Sequence, residues 1–430
     1  GINSVAGPGD KDGYRNLSGR LRATWRLQDN LEIGASGLAL TGRDEFDGFD
    51  PFTGAHVDTL DNSRNRLDAG RIWASIGTEQ SPWRGEVAGS LLGSSNKNFV
   101  GAVEQNRTSG TRRNLSVQLE RRFQTGSVAH RLIVAADAER ESFHARDTAF
   151  GGFTDQDRTR RRESVTAEWR ADSKPIVADV AVRHDSFNRF KDATTIRSSL
   201  LGHLGAGFSI AGSYAEGIAQ PTFFDLYGFF PGNFVGNPDL KPESSRGFEV
   251  SLRYRHGPIG ASLTGYRQRL HDEIVNNATF TSVLNSSGLS KRSGIEATLE
   301  CSVAKAIRLS ANYAYLDASE PDAVTGKQVT EARRPKHSGS VTVDGSSGRF
   351  TYGASLAYVG RHLDNSDTFP FDRVTLGSYW LADARIAYAI RPRIELFIRG
   401  SNLLNQHYQD VFSYRTEPRA GYAGIRLSGK

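Results

Sequence analysis

The sequence predicts an all-β chain, a transmembrane antiparallel β-barrel with lipid outside and water inside. Three observations predict it. Apolar and polar residues alternate at period two in segment after segment. Helical i, i+3, i+4 patterning is nearly absent. Short turns alternate with long polar loops from one end of the chain to the other.

The alternation opens at 17–27, where Leu17, Gly19, Leu21, Ala23, Trp25 and Leu27 share one face and Arg20, Arg22, Thr24 and Arg26 the other. It returns with Leu115, Val117 and Leu119, with Leu132, Val134, Ala136 and Ala138, and with Val165, Ala167 and Trp169. Phe248, Val250, Leu252 and Tyr254 repeat it, as do Ile394, Leu396 and Ile398. A water-soluble sandwich alternates too. These segments, however, run to 12–16 residues, against a usual five or six. One face carries small and aromatic side chains without charge and the other is densely charged, as a barrel in lipid requires.

Tight turns are expected near 28–30, 79–82, 124–127, 171–174, 204–207, 255–258, 303–306, 345–348 and 390–392. Longer polar loops are expected near 44–64, 97–109, 144–158, 187–192, 219–243, 272–282, 319–333, 362–374 and 405–418. These nine turns and nine loops join nineteen strands. Single-chain bacterial barrels have even strand numbers, and lipid does not tolerate an open sheet edge. An odd number of N-terminal strands is therefore expected to be missing.

Composition narrows the function. The chain has 430 residues, a formal charge of +6, one cysteine and no methionine. One Cys excludes a disulfide scaffold, a cysteine zinc site and an iron–sulfur cluster. Basic charge is scattered, so nucleic acid is not an expected partner. The uncharged run 198–215 is too rich in Ser and Gly for a spanning helix. His130, His144, His184 and His203 lack metal-ligand spacing, and neither a GxSxG element nor a spaced Ser/His/Asp set is present, so no enzyme is expected. Cys301 shares the parity of Ile295, Ala297 and Leu299 and should face lipid.

The stretch 213–249, SYAEGIAQPTFFDLYGFFPGNFVGNPDLKPESSRGFE, carries the most information. Pro221 removes a ladder donor and ends an ascending strand. Phe223, Phe224, Tyr227, Phe229, Phe230 and Phe234 then make an aromatic loop, and Asn237-Pro238-Asp239 a turn. Such a loop either packs on itself or contacts a ligand. Acidic residues gather elsewhere: Asp10, Asp12 and Gly13 before the first strand, and Asp44, Glu45, Asp47 and Asp50 at the top of the second. Both groups meet at one rim, where hard oxygen ligands could hold Ca²⁺ or simply be solvated.

Residues 213–249 closely resemble the strand–loop–strand signature of TonB-dependent outer-membrane receptors. SGIEAT (293–298) is similar to a strand element of that family, and NLLNQHY (402–408) to the segment of its penultimate strand. The resemblance covers the whole chain. It implies a bacterial outer-membrane protein with a 22-stranded barrel around an N-terminal plug. This chain would then be the barrel domain over 1–430, without the plug and about three strands. It implies transport without catalysis, a small nutrient ligand, TonB acting through the plug, contact with outer-membrane lipid and lipopolysaccharide, and a monomer. Leu427-Ser428-Gly429-Lys430 departs from the aromatic ending usual in the family.

Within the family the cobalamin receptors are the most similar. Asp10, Asp12 and Gly13 match their Asp-x-Asp-Gly calcium element, Phe46 and Asp47 their aromatic-Asp pair, and Tyr414 a ligand-facing tyrosine. Asn3 stands where a further acidic ligand would be. The expected sites are therefore Asp10, Asp12 and Asp47 for Ca²⁺, and Tyr414, Tyr227, Phe229, Phe230 and Phe234 for cobalamin. The alternatives are an iron–siderophore or haem receptor of the same family, or a passive porin.

Overall fold

The computed structural model describes residues 12–428 except 51, 150, 154, 231–233, 324 and 369–370; the side chains of Phe229 and Phe230 also lie outside the described residues. Ten strands precede the aromatic loop: β1 (Tyr14–Gln28), β2 (Leu31–Phe49), β3 (His56–Ile76), β4 (Trp83–Val100), β5 (Val103–Thr125), β6 (Val128–Asp147), β7 (Gln156–Asp172), β8 (Ile176–Phe187), β9 (Ala193–Gly205) and β10 (Phe208–Ala219). The five-residue helix α1 (Phe223–Tyr227) lies in that loop. Nine strands follow: β11 (Glu243–His256), β12 (Ile259–His271), β13 (Leu289–Ala304), β14 (Ile307–Pro321), β15 (His337–Ser347), β16 (Phe350–Val359), β17 (Tyr379–Arg391), β18 (Ile394–Ser401) and β19 (Ala420–Leu427).

These nineteen, with the short segment Gln328–Thr330 paired only to β14, make one 20-stranded antiparallel sheet in which each strand neighbours the next. Among the described residues β1 pairs only with β2, and β19 only with β18. The sheet therefore has two edges. Three two-stranded hairpins stand in the loops: Phe229–Phe230 with Phe234–Val235, Ile274–Asn276 with Val283–Asn285, and His362–Asn365 with Arg373–Leu376.

The register divides the two faces as the alternation predicts. Leu17, Leu21, Ile72, Leu115 and Ile398 are 61–75% exposed, as side chains turned to lipid are when only protein is counted. Aromatic pairs collect on this face toward the tight turns, with Phe208 and Tyr254 4.6 Å apart and Phe350 and Tyr388 4.8 Å apart between ring centroids. They form one interfacial girdle. Cys301 lies opposite Ile259 and Leu309 in the lipid-facing register. The other face holds ion pairs. Arg112 reaches Glu141 at 2.6 Å, Arg183 reaches Asp185 at 2.8 Å and Asp137 at 3.2 Å, and Arg162 bridges Asp137 and Glu139 at 3.6 and 3.5 Å.

Two expected loops are largely strand. Residues 44–64 hold only a short loop between Phe49 and His56, and 97–109 reduce to the turn between Val100 and Val103. The strands here reach 23 residues, whereas about 9–11 cross a bilayer. The excess stands in water, where Asp, Asn and Arg can face solvent and still pair backbone to backbone. Polar composition is therefore not a loop signal above the membrane. The segment 402–408 also lies just beyond the penultimate strand, not in it. Its Asn402 side chain clasps the loop by donating to the carbonyls of Gln406 and Glu417 at 2.9 and 3.2 Å.

Candidate functional site at the extracellular mouth

The long loops gather at the mouth opposite the tight turns, and the signature loop is built there from local rules. Thr222 caps α1 by accepting from the Asp225 N–H at 3.0 Å, and Asp225 accepts from the Thr222 N–H at 2.8 Å, a reciprocal capping box. Leu226, Leu240 and Val283 form a small buried core, with Phe190, Tyr227, Phe234 and Ile274 packed on it. Gly236 donates to the Gly228 carbonyl at 2.7 Å. A Cβ at Gly236 would lie 2.7–2.8 Å from backbone atoms of residues 226–228, so only glycine closes this loop.

Arginines from the barrel wall hold the loop down. Arg160 lies over the Phe223 ring at 4.6 Å and donates to the Pro221 carbonyl at 2.7 Å. Arg158 and Arg189 lie 4.5 and 5.2 Å from the Tyr227 ring. Phe224 stacks on Phe234 at 4.8 Å. Tyr227 and Phe234, expected as ligand contacts, thus have ring faces engaged by other protein groups, and the loop packs on itself.

A second cluster lies where the acidic strands meet the last long loop. Glu45 accepts from the Gly13 N–H at 3.0 Å and donates its own N–H to the Gly13 carbonyl at 2.9 Å. A Cβ at Gly13 would lie 2.4 Å from the Glu45 Oε2, the flexible end of that side chain. Asp47 occupies an irregularity where the β2–β3 register moves from Phe46↔Asp61 to Gly48↔Val57. Such a bulge redirects a side chain. Asp47 is 4% exposed and accepts from the Thr59 N–H at 3.1 Å. Tyr414 meets the same hairpin: its ring lies 4.3 Å from His56, which lies 5.3 Å from Phe49. The fold therefore brings Asp12, Asp47 and Tyr414 to one rim and leaves Tyr227 and Phe234 in the other cluster.

The calcium expectation meets a partial donor set. Asp10 lies outside the described residues. Asp44 accepts from Asn65 at 2.8 Å, Glu45 pairs with Arg43 at 2.8 Å, and Asp61 accepts from Thr59 at 2.8 Å. Among the described residues, no group of three or more His, Cys, Asp or Glu side chains is placed to hold a metal ion.

Several residues at the mouth escaped the sequence reading. Asp364 is fully buried; it accepts from Arg333 Nε and the Asn365 N–H through Oδ1, and from the Phe412 N–H through Oδ2, each at 2.8 Å. It ties loop 360–378 to the loop that carries Tyr414. Glu331 is clamped by Arg292 at 2.8 Å and Arg334 at 2.9 Å, and Glu320 meets Arg373 at 3.2 Å. Burial works against the Glu331 carboxylate, but the hydrogen bonds from Arg292 and then Arg334 outweigh it and hold its pKa below the ordinary value. Burial pushes Glu320 above its ordinary value, against the Arg373 hydrogen bond. Glu320, Glu331 and Arg373 line a chamber of about 610 Å³ with Glu273, Phe280 and Phe371. Apart from Arg334, three residues from Glu331, their partners come from distant segments, so no local motif announces them.

Comparison with known proteins agrees with this architecture. The family described as TonB dependent receptor-like, beta-barrel matches residues 2–403. The Vitamin B12 transporter BtuB of Vibrio cholerae is 26% identical over 262 residues, which is 61% of this chain and 41% of that protein. The match thus spans well under half of that relative's length. Among solved structures, the siderophore receptor PirA from Acinetobacter baumannii superposes with a TM-score of 0.79 at 16% identity, covering 97% of this chain and 71% of that one. The ferric-catecholate import receptor Fiu from E. coli K12 gives 0.78 at 14%, covering 99% and 76%. At these identities the two structures share the fold with this chain.

Proposed function

Because the chain belongs to the TonB-dependent receptor β-barrel family of outer-membrane proteins, we propose that it is the barrel of an active importer whose nutrient is cobalamin. The observation that carries the ligand is the mouth rim where Asp12, Asp47 and Tyr414 converge, taken with the 26% identity to a vitamin B12 transporter. The ligand would settle between this rim and the packed signature loop. About three further strands would lie between β1 and β19, whose edges lipid would not tolerate unpaired, and a plug would fill the barrel. TonB, acting through that plug, would release the ligand inward.

Calcium belongs to the same proposal. Asp10, Asp12 and Asp47 would hold it, and its charge would let these carboxylates approach and order the rim. The test is cobalamin binding to the full-length receptor with calcium and with a chelator. Tight binding that the chelator weakens supports the proposal. Failure to bind in either condition would move the ligand to the siderophores named for the solved relatives. A passive porin would show neither saturable binding nor dependence on TonB.

A further inference from the structure

The loops that follow β12, β14 and β16 enclose the chamber of about 610 Å³, with α1 at its side. Among the described residues, its lining holds five carboxylates, on Asp225, Glu273, Glu320, Asp322 and Glu331, and one cation, Arg373. Arg292 and Arg334 reach Glu331 from behind the lining. Five negative charges thus face three positive ones.

The deficit is sharpest at Glu273. Its Oε1 meets Arg292 at 3.1 Å, whereas its Oε2 is buried and accepts no hydrogen bond among the described residues. A buried carboxylate oxygen left without a donor is costly. Burial pushes Glu320 above its ordinary value against the Arg373 hydrogen bond, and the charges of Glu331 and Glu273 push the same way. The chamber is short of positive charge and of hydrogen-bond donors.

The shape of the chamber narrows the cation that would supply both. Among the described residues, no three of these carboxylates are placed to hold a metal ion. A ligand whose donors are set apart along a chain fits such spacing. Ile274, Val283 and Pro321 offer apolar surface to that chain. Phe280 and Phe371, from the tips of two different hairpins, meet in the lining with ring centroids 4.7 Å apart. Their φ values of 57° and 59° hold two bulky side chains in the left-handed region, a conformation the surroundings must enforce. Aromatic rings beside carboxylates attract ammonium groups, and a pocket of this volume takes a whole small molecule.

We propose that the chamber binds a small aliphatic diamine, whose ammonium groups pair with Glu273 and Glu320 and whose chain lies against Phe280 and Phe371. The site uses neither the rim of Asp12, Asp47 and Tyr414 nor the identity of the nutrient.

The test uses the full-length receptor in mild detergent, without nutrient, titrated calorimetrically with 1,4-diaminobutane and with its neutral isostere 1,4-butanediol. The diamine should bind saturably at one per receptor, and the diol should not bind. Each charge-assisted hydrogen bond is worth roughly tenfold in affinity, so E273Q/E320Q should bind the diamine on the order of a hundredfold more weakly. Absence of saturable diamine binding, equal binding of diol and diamine, or diamine binding that survives E273Q/E320Q, as adsorption to lipid phosphate would, overturns the proposal. Should the double variant fail to assemble, hydrogen exchange on the wild type decides: the diamine, and not the diol, should slow exchange in 274–285, and equal exchange with both would overturn the proposal. Cobalamin binding is measured separately, so its failure bears on the nutrient alone.

Discussion

Tyr414, near one end of the chain, and His56, near the other, pack together with ring centroids 4.3 Å apart and ring planes tilted by 31°. The loop that leads into β19 is thereby fastened to the β2–β3 hairpin, above the edges where β1 and β19 lack a second strand. The contact turns two separate sequence segments into one rim.

That rim depends on an aromatic ring, and the stack is worth about 1 kcal/mol beyond burial. Y414A should therefore raise the cobalamin dissociation constant by roughly tenfold and speed proteolysis of residues 405–418, because one substitution both frees the loop and removes a side chain that the proposed function assigns to the ligand. Y414F keeps the ring and should leave loop protection unchanged. Equilibrium binding and limited proteolysis on the same preparations read the two effects. Equal protease sensitivity of Y414A and wild type would sever the loop from the His56 contact.

Asp364 is the second fastening, and D364A should be costly. It would leave Arg333 and the Phe412 N–H without their acceptor, a loss of about 2–4 kcal/mol for a buried charged acceptor. Hydrogen exchange in 409–414 should accelerate strongly, while exchange in the barrel strands stays as it was. Uniform acceleration across the whole barrel would instead mark Asp364 as a global folding residue.

Two glycines should respond oppositely to alanine. At Gly236 the added Cβ meets fixed backbone at 2.7–2.8 Å, and G236A should unseat the signature loop. At Gly13 it meets the flexible end of Glu45, and G13A should cost little, because the carboxylate can rotate away. Trypsin accessibility of Arg158 and Arg189, which Tyr227 covers, distinguishes the two variants.

The chamber near β14 should show two acid responses of opposite sign. Glu331 has a lowered folded pKa, so its contribution is present above the unfolded value and is lost as pH falls through the folded one. Glu320 has a raised folded pKa, so its charge costs stability at neutral pH, and that cost is relieved as it protonates first. Hydrogen-exchange protection of Gln328–Thr330, corrected for intrinsic rates, should rise slightly on mild acidification and then fall below about pH 4. E320Q should remove the rise. E331Q should already be loose at neutral pH.

The barrel was legible because lipid imposes a rule that every strand obeys locally. The parity of Leu115, Val117 and Leu119 needs no knowledge of β4 or β6. Tight turns were equally local, and nineteen strands follow from them. The ends of the strands were harder to read, because above the membrane Asn62, Asn65 and Asn96 sit in the ladder although they look like loop residues. The mouth was legible only in part. Asp47 and Tyr414 could be named from the motif resemblance, but the contact of Tyr414 with His56, on the hairpin that carries Asp47, is a long-range event. Asp364 and the Arg292–Glu331–Arg334 clamp carried no signal, since a charged residue in a polar loop looks the same whether it is solvated or buried.

The central claim is tested most directly by equilibrium binding of cobalamin to the full-length receptor, with calcium and then with a chelator, beside D12N/D47N. The account predicts saturable tight binding in calcium, weakened at least tenfold by the chelator, and a variant that already binds weakly and ignores it. Absence of cobalamin binding in both conditions, with a ferric siderophore bound in its place, would contradict it.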